Sequence, residues 1–163
     1  MQAEVYQNYF DTPLGIMEVS ASDEAVKSVY FVDKAAVNKE NRLTKLAKEQ
    51  MCEYFSGERR YFDLPLSAAG TDFQKLVWNA LSTIDYGATC AYSDVAHQIE
   101  NPKAVRAIGA ANGRNPLTII VPCHRVIGRD GSLTGYAGGT KRKAWLLKHE
   151  RRFECEITLS GAV

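Results

Sequence analysis

The pattern of apolar residues changes at about residue 70, and this change limits the possible folds more than any other feature. Before it, the segments VYQNYF, GIMEVS and AVKSVYFV are rich in β-branched and aromatic residues, which is typical of strands. The residues DTPL between the first two segments suit a tight turn. The first region therefore predicts a small antiparallel meander.

A helix and a break complete this first region. Apolar residues recur at helical spacing from Leu43 to Tyr54, and Gly57 follows as a stop signal. The segment PLSAAGTDF then indicates a boundary. We therefore expect an α/β (α+β) protein with an amino-terminal sheet-plus-helix lobe, residues 1–69, and a mostly helical carboxy-terminal lobe, residues 70–163.

Short helices dominate the second region. Thr71 or Asp72 can cap a first helix, and two further helices are predicted with caps at Ser93 and Asn101. Pro102 would occupy the first position of the second of these. Two short helices joined by a tight turn form a helix-turn-helix. The segment TKRKAWLLKHE predicts a last helix.

Charge is distributed unevenly between the two halves. Residues 1–87 carry a net charge of −4 and residues 88–163 a net charge of +5, although the whole chain has only +1. A basic half is typical of a protein that faces a polyanion. A chance division of a solvated surface explains the charges equally well.

Composition excludes several classes of protein. The chain of 163 residues is 45% hydrophobic and 24% charged, as expected of an ordinary globular protein. It contains no apolar run of membrane-spanning length and no signal peptide at its start, so we expect it in the cytoplasm. Its four cysteines form no CxxC pair, so a zinc site is not expected. A disulfide framework is not expected either, because the chain is neither very small nor evidently secreted.

The segment TIIVPCHRVIG contains the most reactive combination of side chains. A strand-like run ends at Pro122, and Cys123, His124 and Arg125 follow. Neighbouring side chains of an extended segment point to opposite faces, so His124 can activate the thiol only through a local turn or a water. Glu150 or the local backbone would orient His124. A structural cysteine is the simpler alternative, and we expect Arg125 to bind backbone carbonyls of the loop.

Two groups of basic residues lie in predicted helices. The second helix of the helix-turn-helix offers Lys103 and Arg106 among alanines and glycines, which permits close approach to DNA without sequence reading. Tight packing of helices explains the small residues as well. Lys141, Arg142 and Lys143 begin the last helix, where the helix dipole disfavours cations, and we expect them to point into water.

Several separated blocks together resemble one known family. IVPCHRVIG, NPKAVRAIGAANGRNP, GSLTGYAGG and WLLKHE are similar, in this order, to the O6-alkylguanine-DNA alkyltransferases. The resemblance extends from about Phe73 to Glu150, whereas the amino-terminal lobe fits only in shape and length. It implies single-turnover, irreversible repair, in which an alkyl group passes from O6-alkylguanine in DNA to a protein cysteine.

The resemblance implies a role for each residue of the reaction. Cys123 would accept the alkyl group, His124 would take the thiol proton through a water, and Glu150 would orient His124. The hydroxyl of Tyr92 would assist the departing guanine. The substrate-binding residues would be Val126, Tyr136 and Ala137, the last through its backbone N–H, at a position where some members carry serine.

The resemblance also implies how DNA is bound. Arg106 would fill the space of the flipped-out base, and Asn115 would connect the DNA-binding helix to the active-site loop. Double-stranded DNA would be bound through the minor groove with little sequence preference by a monomer that needs no cofactor or metal. The remaining DNA-binding residues would be Lys103, Ala104, Ala110 and Gly113.

Three other functions remain open at this stage. A lesion sensor of this family would carry another residue in place of Cys123. A sequence-specific regulator would have a richer recognition helix. A cysteine hydrolase would use a distant histidine, for which His97 and His149 are the candidates. Repair of O4-alkylthymine and cooperative binding along DNA are also open.

Overall fold

The chain forms two compact units. A computed structural model describes residues 4–133, 136 and 138–161, with side chains described through residue 153. One unit comprises Met1–Ala69 with Pro116–Ile120, and the other comprises Gly70–Asn115 with Val121–Val163. The segment Pro116–Ile120 therefore belongs to the first unit, whereas the boundary placed at residue 70 assigned it to the second. No helix of the described residues is long and apolar enough to cross a membrane.

The first unit is a three-stranded antiparallel sheet covered by one helix. The strands are β1 (Tyr6–Thr12), β2 (Gly15–Ala21) and β3 (Val26–Val32), in that order in the sheet. Alternate residues of β2 face the core, where Met17, Val19 and Ala21 are fully buried. The helix α1 (Arg42–Ser56) packs against the sheet. These elements confirm the predicted meander and helix.

Local sequence explains both ends of α1. The side chain of Asn41 accepts a hydrogen bond from the backbone of Thr44, whose hydroxyl in turn accepts from the backbone of Asn41, which closes a capping box. At the other end Gly57 has a φ of 86°, a left-handed conformation that glycine adopts without steric cost. The predicted stop at Gly57 is confirmed.

The described residues of the second unit form four α-helices and one short strand pair. The helices are α2 (Asp72–Leu81), α3 (Tyr92–Gln98), α4 (Val105–Gly113) and α5 (Thr140–Gly161), and β4 (Cys90–Ala91) pairs in parallel with β5 (Val126–Ile127). Thr71 caps α2. The indole N–H of Trp78 donates to the carbonyl of Ala111 at 2.9 Å, which fastens α2 to α4.

The predicted caps of α3 and α4 are wrong. Asp94 accepts a hydrogen bond from the backbone of Ala91 at 2.8 Å, so α3 begins at Tyr92 rather than after Ser93. The backbone of Ala104 donates to the carbonyl of Asn101 at 3.0 Å, which closes a turn before α4. Consequently α4 begins at Val105, and Asn101 and Pro102 belong to the connection.

The apolar segment before Cys123 is not a regular strand. Within the first unit Leu117 makes only an isolated bridge to Val29, and Ile119 has a φ of 73°, which a β-branched residue rarely adopts. In the second unit Cys123–Arg125 form a turn of 3₁₀ helix. The expectation of an extended run is therefore wrong, because Ile119 leaves the extended conformation within it.

Candidate active site

A buried 3₁₀ turn forms the centre of the second unit. Cys123, His124 and Arg125 make up this turn, which packs against α2 and α5, and their exposed fractions are 2%, 0% and 6%. The turn removes the strict alternation of an extended segment. Its three polar side chains are withdrawn from water, so each requires a compensating partner.

Glu150 on α5 is the partner of His124. The two side chains are 0% and 1% exposed, and 2.6 Å separates His124 Nε2 from Glu150 Oε2. The sequence was consistent with two groups that could orient His124, the carboxylate of Glu150 and the local backbone. The structure places the carboxylate there.

Arg125 binds the same carboxylate from its other side. Its Nε donates to Glu150 Oε1 at 2.8 Å and its Nη2 donates to Oε2 at 3.0 Å, which is a bidentate pair. Its Nη1 also donates to the carbonyl of Ile84 at 2.7 Å. Arg125 therefore binds a backbone carbonyl, but one in the connection between α2 and β4 rather than in its own loop, and its pairing with Glu150 was not predicted.

Burial and charge fix the protonation states of this cluster. Burial alone would raise the pKa of Glu150, but His124 and Arg125 outweigh burial and hold that pKa far below its usual range. Burial lowers the pKa of His124, although Glu150 opposes this effect. At neutral pH the cluster therefore contains a carboxylate and a neutral imidazole.

The neutral imidazole has a defined orientation. Because an ionised carboxylate only accepts hydrogen bonds, His124 Nε2 carries the proton that it donates to Glu150. The other nitrogen, Nδ1, is then the basic one. Nδ1 is buried and has no hydrogen-bond partner among the described residues. His124 therefore keeps one lone pair available for a proton.

Cys123 is held at its sulfur and at its backbone. Asn115 Nδ2 lies 3.2 Å from Cys123 Sγ and donates to the carbonyl of Val121 at 2.8 Å. Burial raises the pKa of the Cys123 thiol to about 11, while the Asn115 amide and then Lys143 act in the opposite direction. Cys123 is consequently a thiol at neutral pH.

Asn112 is a site residue that sequence reasoning missed. It is fully buried in the last turn of α4, and its Nδ2 donates to the carbonyl of Cys123 at 3.2 Å. The available signal was its position four residues after Ile108, on the buried face of the helix. A polar residue at a core position needs a partner, and here that partner is the backbone of Cys123.

The position of Lys143 contradicts the expectation that the basic residues in the first turn of α5 point into water. Lys141 is exposed and Arg142 half-buried, but Lys143 is fully buried and does not point into water. Its Nζ lies 5.8 Å from the centre of the Tyr92 ring, at the start of α3. Burial lowers the pKa of Lys143 to about 8, although an ionised Cys123 would oppose this effect.

Comparison with known proteins agrees with this geometry. Residues 72–152 match the family described as 6-O-methylguanine DNA methyltransferase, DNA binding domain, and residues 5–68 match the ribonuclease-like domain of the same description. The chain is 46% identical over 155 residues to the methylated-DNA–protein-cysteine methyltransferase of Methanosarcina acetivorans, covering 90% of this chain and 98% of the relative.

Solved structures extend the comparison to three dimensions. The O6-methylguanine methyltransferase of Mycobacterium tuberculosis superposes with a TM-score of 0.84 at 41% identity, covering 91% of this chain and 94% of that chain. The same organism's OGT in complex with DNA gives 0.82 at 42% identity, covering 89% and 92%. The chain belongs to the 6-O-methylguanine DNA methyltransferase family.

The residues that the family resemblance connects with DNA lie on and beside α4. Arg106 and Ala110 are exposed, as is Lys103 in the connection before the helix. Ala104 and Gly113, at the two ends of α4, are half-buried. The exposed side of α4 therefore presents one arginine beside small side chains.

The residues that the resemblance connects with the substrate are partly described. Val126 is fully buried in β5, beside Cys90 of β4. Tyr136 is buried, and burial, together with the charge of Cys123, raises the pKa of its hydroxyl well above the usual value. Ala137 lies outside the described residues.

The remaining histidines have other contacts. His97 is exposed, and its Nδ1 lies 2.7 Å from the carbonyl of Ser93. His149 is buried, and its ring stacks on Trp145 with 4.8 Å between centroids. These contacts account for both rings without the sulfur of Cys123.

The described residues contain no group of three or more His, Cys, Asp or Glu that could hold a metal ion. Of the other cysteines, Cys52 is exposed and Cys90 half-buried, and both are free. The side chain of Cys155 lies outside the described part of the chain.

Replacing Glu150 tests the charge cluster. Since the folded-state pKa of Glu150 is depressed, its stabilising effect is present above its ordinary value of 4.5 and is lost as the pH falls below it. We expect Glu150→Gln to lower the free energy of unfolding by about 3–5 kcal/mol at pH 7, because Arg125 keeps a buried charge. Urea unfolding should show a smaller difference from wild type below pH 4.5.

The exposed Glu100→Gln is the matched control and should leave the free energy of unfolding almost unchanged. A difference between Glu150→Gln and wild type that stays the same at pH 7 and below pH 4.5 would contradict the assigned charge state.

Proposed function

We propose that this protein repairs DNA by moving a methyl or other alkyl group from O6-alkylguanine to Cys123 Sγ, irreversibly and once per molecule. It would thus be a methylated-DNA–protein-cysteine S-methyltransferase. One observation carries the proposal: a buried cysteine immediately precedes, in the sequence, a neutral histidine that is oriented by a buried carboxylate, in a chain that belongs to this family.

The proton of the thiol goes to His124. A thiol with a pKa of about 11 is a poor nucleophile, so the proton must leave as the reaction proceeds. The free lone pair on His124 Nδ1 accepts it, through a water as the resemblance implies, and Glu150 stabilises the imidazolium that results. Glu150 itself stays ionised because Arg125 also holds it.

The alkyl group then moves from guanine to sulfur in a single displacement step. The sulfur forms a bond to the alkyl carbon while the bond from that carbon to guanine O6 breaks. The electron pair stays on the guanine, which takes a proton from Tyr92 and leaves neutral, and Tyr92 regains a proton from the solvent. The product on Cys123 is a thioether with no proton to lose, so each molecule reacts once.

The segments that precede α5 would complete the substrate pocket. Val126 would offer its backbone carbonyl to the exocyclic amine of guanine. Tyr136 would form a wall of the pocket, and the backbone N–H of Ala137 would donate to guanine O6. These roles rest on the family resemblance and on the burial of Val126 and Tyr136.

DNA would dock on α4 through the minor groove. The exposed Ala110 lets the helix approach closely, and Arg106 can enter the stack where the damaged base has left it. With so few base-reaching side chains, contacts to phosphates dominate, which gives little sequence preference. Asn115 would connect α4 to the reaction centre through its contacts with Val121 and Cys123.

The proposal also covers the oligomeric state, the location and the domain organisation of the protein. We infer a monomer working on double-stranded DNA in the cytoplasm, with residues 70–163, apart from Pro116–Ile120, as the DNA-binding and transfer domain and residues 1–69 as the main part of a separate lobe. Cooperative binding along DNA and repair of O4-alkylthymine stay open. The lesion-sensor alternative is disfavoured because Cys123 is present.

Repair should stop after one event per molecule. With an excess of duplex DNA that contains O6-methylguanine, we expect restored guanine to reach a plateau at one per protein, because the thioether is not hydrolysed. Nucleoside analysis of the DNA measures this plateau. Cys123→Ala should restore none, and Cys52→Ala, at an exposed cysteine, should reach the full plateau.

Continued release beyond one guanine per protein would indicate a hydrolase. DNA binding without any restored guanine would indicate a lesion sensor.

Replacing Arg106 should slow alkyl transfer only when the substrate is duplex DNA. Flipping a base costs a few kcal/mol, and about 1.4 kcal/mol corresponds to a factor of ten. We therefore expect Arg106→Ala to slow transfer from duplex DNA at least about tenfold and to leave transfer from free O6-methylguanine unchanged. Single-turnover rates on both substrates measure this, with Arg129→Ala, an exposed arginine outside α4, as the control. Equal losses on both substrates would remove the flipping role.

A further inference from the structure

Lys143 occupies a position where a lysine is doubly unfavourable. It is fully buried, so its ammonium group loses hydration. It also lies in the first turn of α5, where the helix dipole repels a positive charge. A charged lysine at such a position costs free energy, and the groups around Lys143 indicate a use for that charge.

Lys143 and the cluster around His124 lie on one face of α5. Lys143 precedes Glu150 by seven residues, which is two helical turns, so both side chains project from the same side. That side packs against the 3₁₀ turn, where Glu150 contacts His124. Lys143 therefore lies on the side of α5 that faces the 3₁₀ turn, and a positive charge on Lys143 would favour the ionised form of Cys123.

Other titratable groups surround this pair. From the 3₁₀ turn, His124 is electrostatically coupled to Lys143. From α3, the Tyr92 ring lies 5.8 Å from Lys143 Nζ. Tyr136, which precedes α5, interacts with Cys123, and Glu150 on α5 is already paired with His124 and Arg125. The group that gains negative charge during the reaction is the sulfur of Cys123.

We propose that Lys143 supplies the positive charge that stabilises the Cys123 thiolate as it forms, and that it thereby sets the rate of alkyl transfer. The inference deepens the function proposed above and rests on it. Lys143 is a positioning residue in this scheme, because it acts through the sulfur of Cys123.

The proton balance leaves Lys143 unchanged throughout. The S–H bond breaks, its proton goes to His124, and the electron pair remains on sulfur until the S–C bond forms. Lys143 keeps its proton and lowers the free energy of the charged sulfur, since an opposite charge nearby favours the ionised form of a group. Because burial brings the pKa of Lys143 to about 8, this help fades at higher pH.

Transfer from free O6-methylguanine, followed as a methyl adduct on Cys123 by mass spectrometry, tests the proposal without DNA. We expect Lys143→Met to slow transfer at least about tenfold at pH 7, because removal of a neighbouring charge shifts a pKa by about one unit or more. This deficit should shrink above pH 8, where wild type loses the charge. Lys143→Arg should restore much of the rate, and the exposed Lys141→Met is the matched control.

Three results would overturn the proposal: no deficit in Lys143→Met, an equal deficit at every pH, which indicates a packing role, or a deficit with duplex DNA alone, which indicates a DNA contact. Failure of the proposed function is distinguishable from these, because wild type would then form no adduct on Cys123 with either substrate.

Thermal unfolding separates the charge from the packing of Lys143. A buried lysine with a lowered pKa binds its proton less tightly than in the unfolded chain, so its charge destabilises the folded protein below about pH 8 and this cost disappears as the pH approaches 10.5. Lys143→Met should therefore raise the Tm at pH 7, with a smaller gain at pH 10. A lower Tm than wild type at pH 7 would favour a packing role and count against the proposal.

Discussion

The buried carboxylate of Glu150 is the constraint on which the rest of the site depends. It accepts hydrogen bonds from His124 and Arg125, and the backbone N–H of Gly87 donates to it at 3.3 Å. These bonds join α5, the 3₁₀ turn and the connection between α2 and β4. An unpaired carboxylate at this depth would cost several kcal/mol, so the three segments are held together by the same interaction that orients His124.

This arrangement also separates the resting state from the reacting state. Burial keeps Cys123 as a thiol, which protects it from indiscriminate reaction. His124 is neutral and is oriented by Glu150, and in the proposed scheme Lys143 supplies the positive charge that favours the thiolate. Cys123 therefore becomes a thiolate only when its proton is removed during the reaction, which suits a protein that can react only once.

Much of the fold could be predicted because its signals are local. The alternation of β2, the stop at Gly57 and the cap at Thr71 each depend on residues within one turn or strand. The predictions of helix starts and strands failed where another residue or a change in backbone direction overrode the local sequence signal. Asp94 displaced Ser93 in defining the start of α3, and the change of direction at Ile119 ended the expected strand.

The site, like the fold, contains features that the sequence predicted and features that it did not. Cys123, His124 and Glu150 were recognised by their sequence context, but the contacts of Lys143 and Asn112 were not. Lys143 stands three, four and seven residues before Leu146, Leu147 and Glu150, all buried, so helical spacing already assigned it to the buried face of α5. Its charge favoured solvent, and the proposed interaction with Cys123, twenty residues earlier in the chain, depends on the fold rather than on local spacing.

The mass of the intact protein after incubation with duplex DNA containing O6-methylguanine tests the central claim most directly. The account predicts the addition of a single methyl group, located on the peptide that contains Cys123 and absent from Cys123→Ala. A methyl group on Cys52, Cys90 or Cys155 instead, or no adduct while DNA is still bound, would contradict the assignment of Cys123 as the alkyl acceptor.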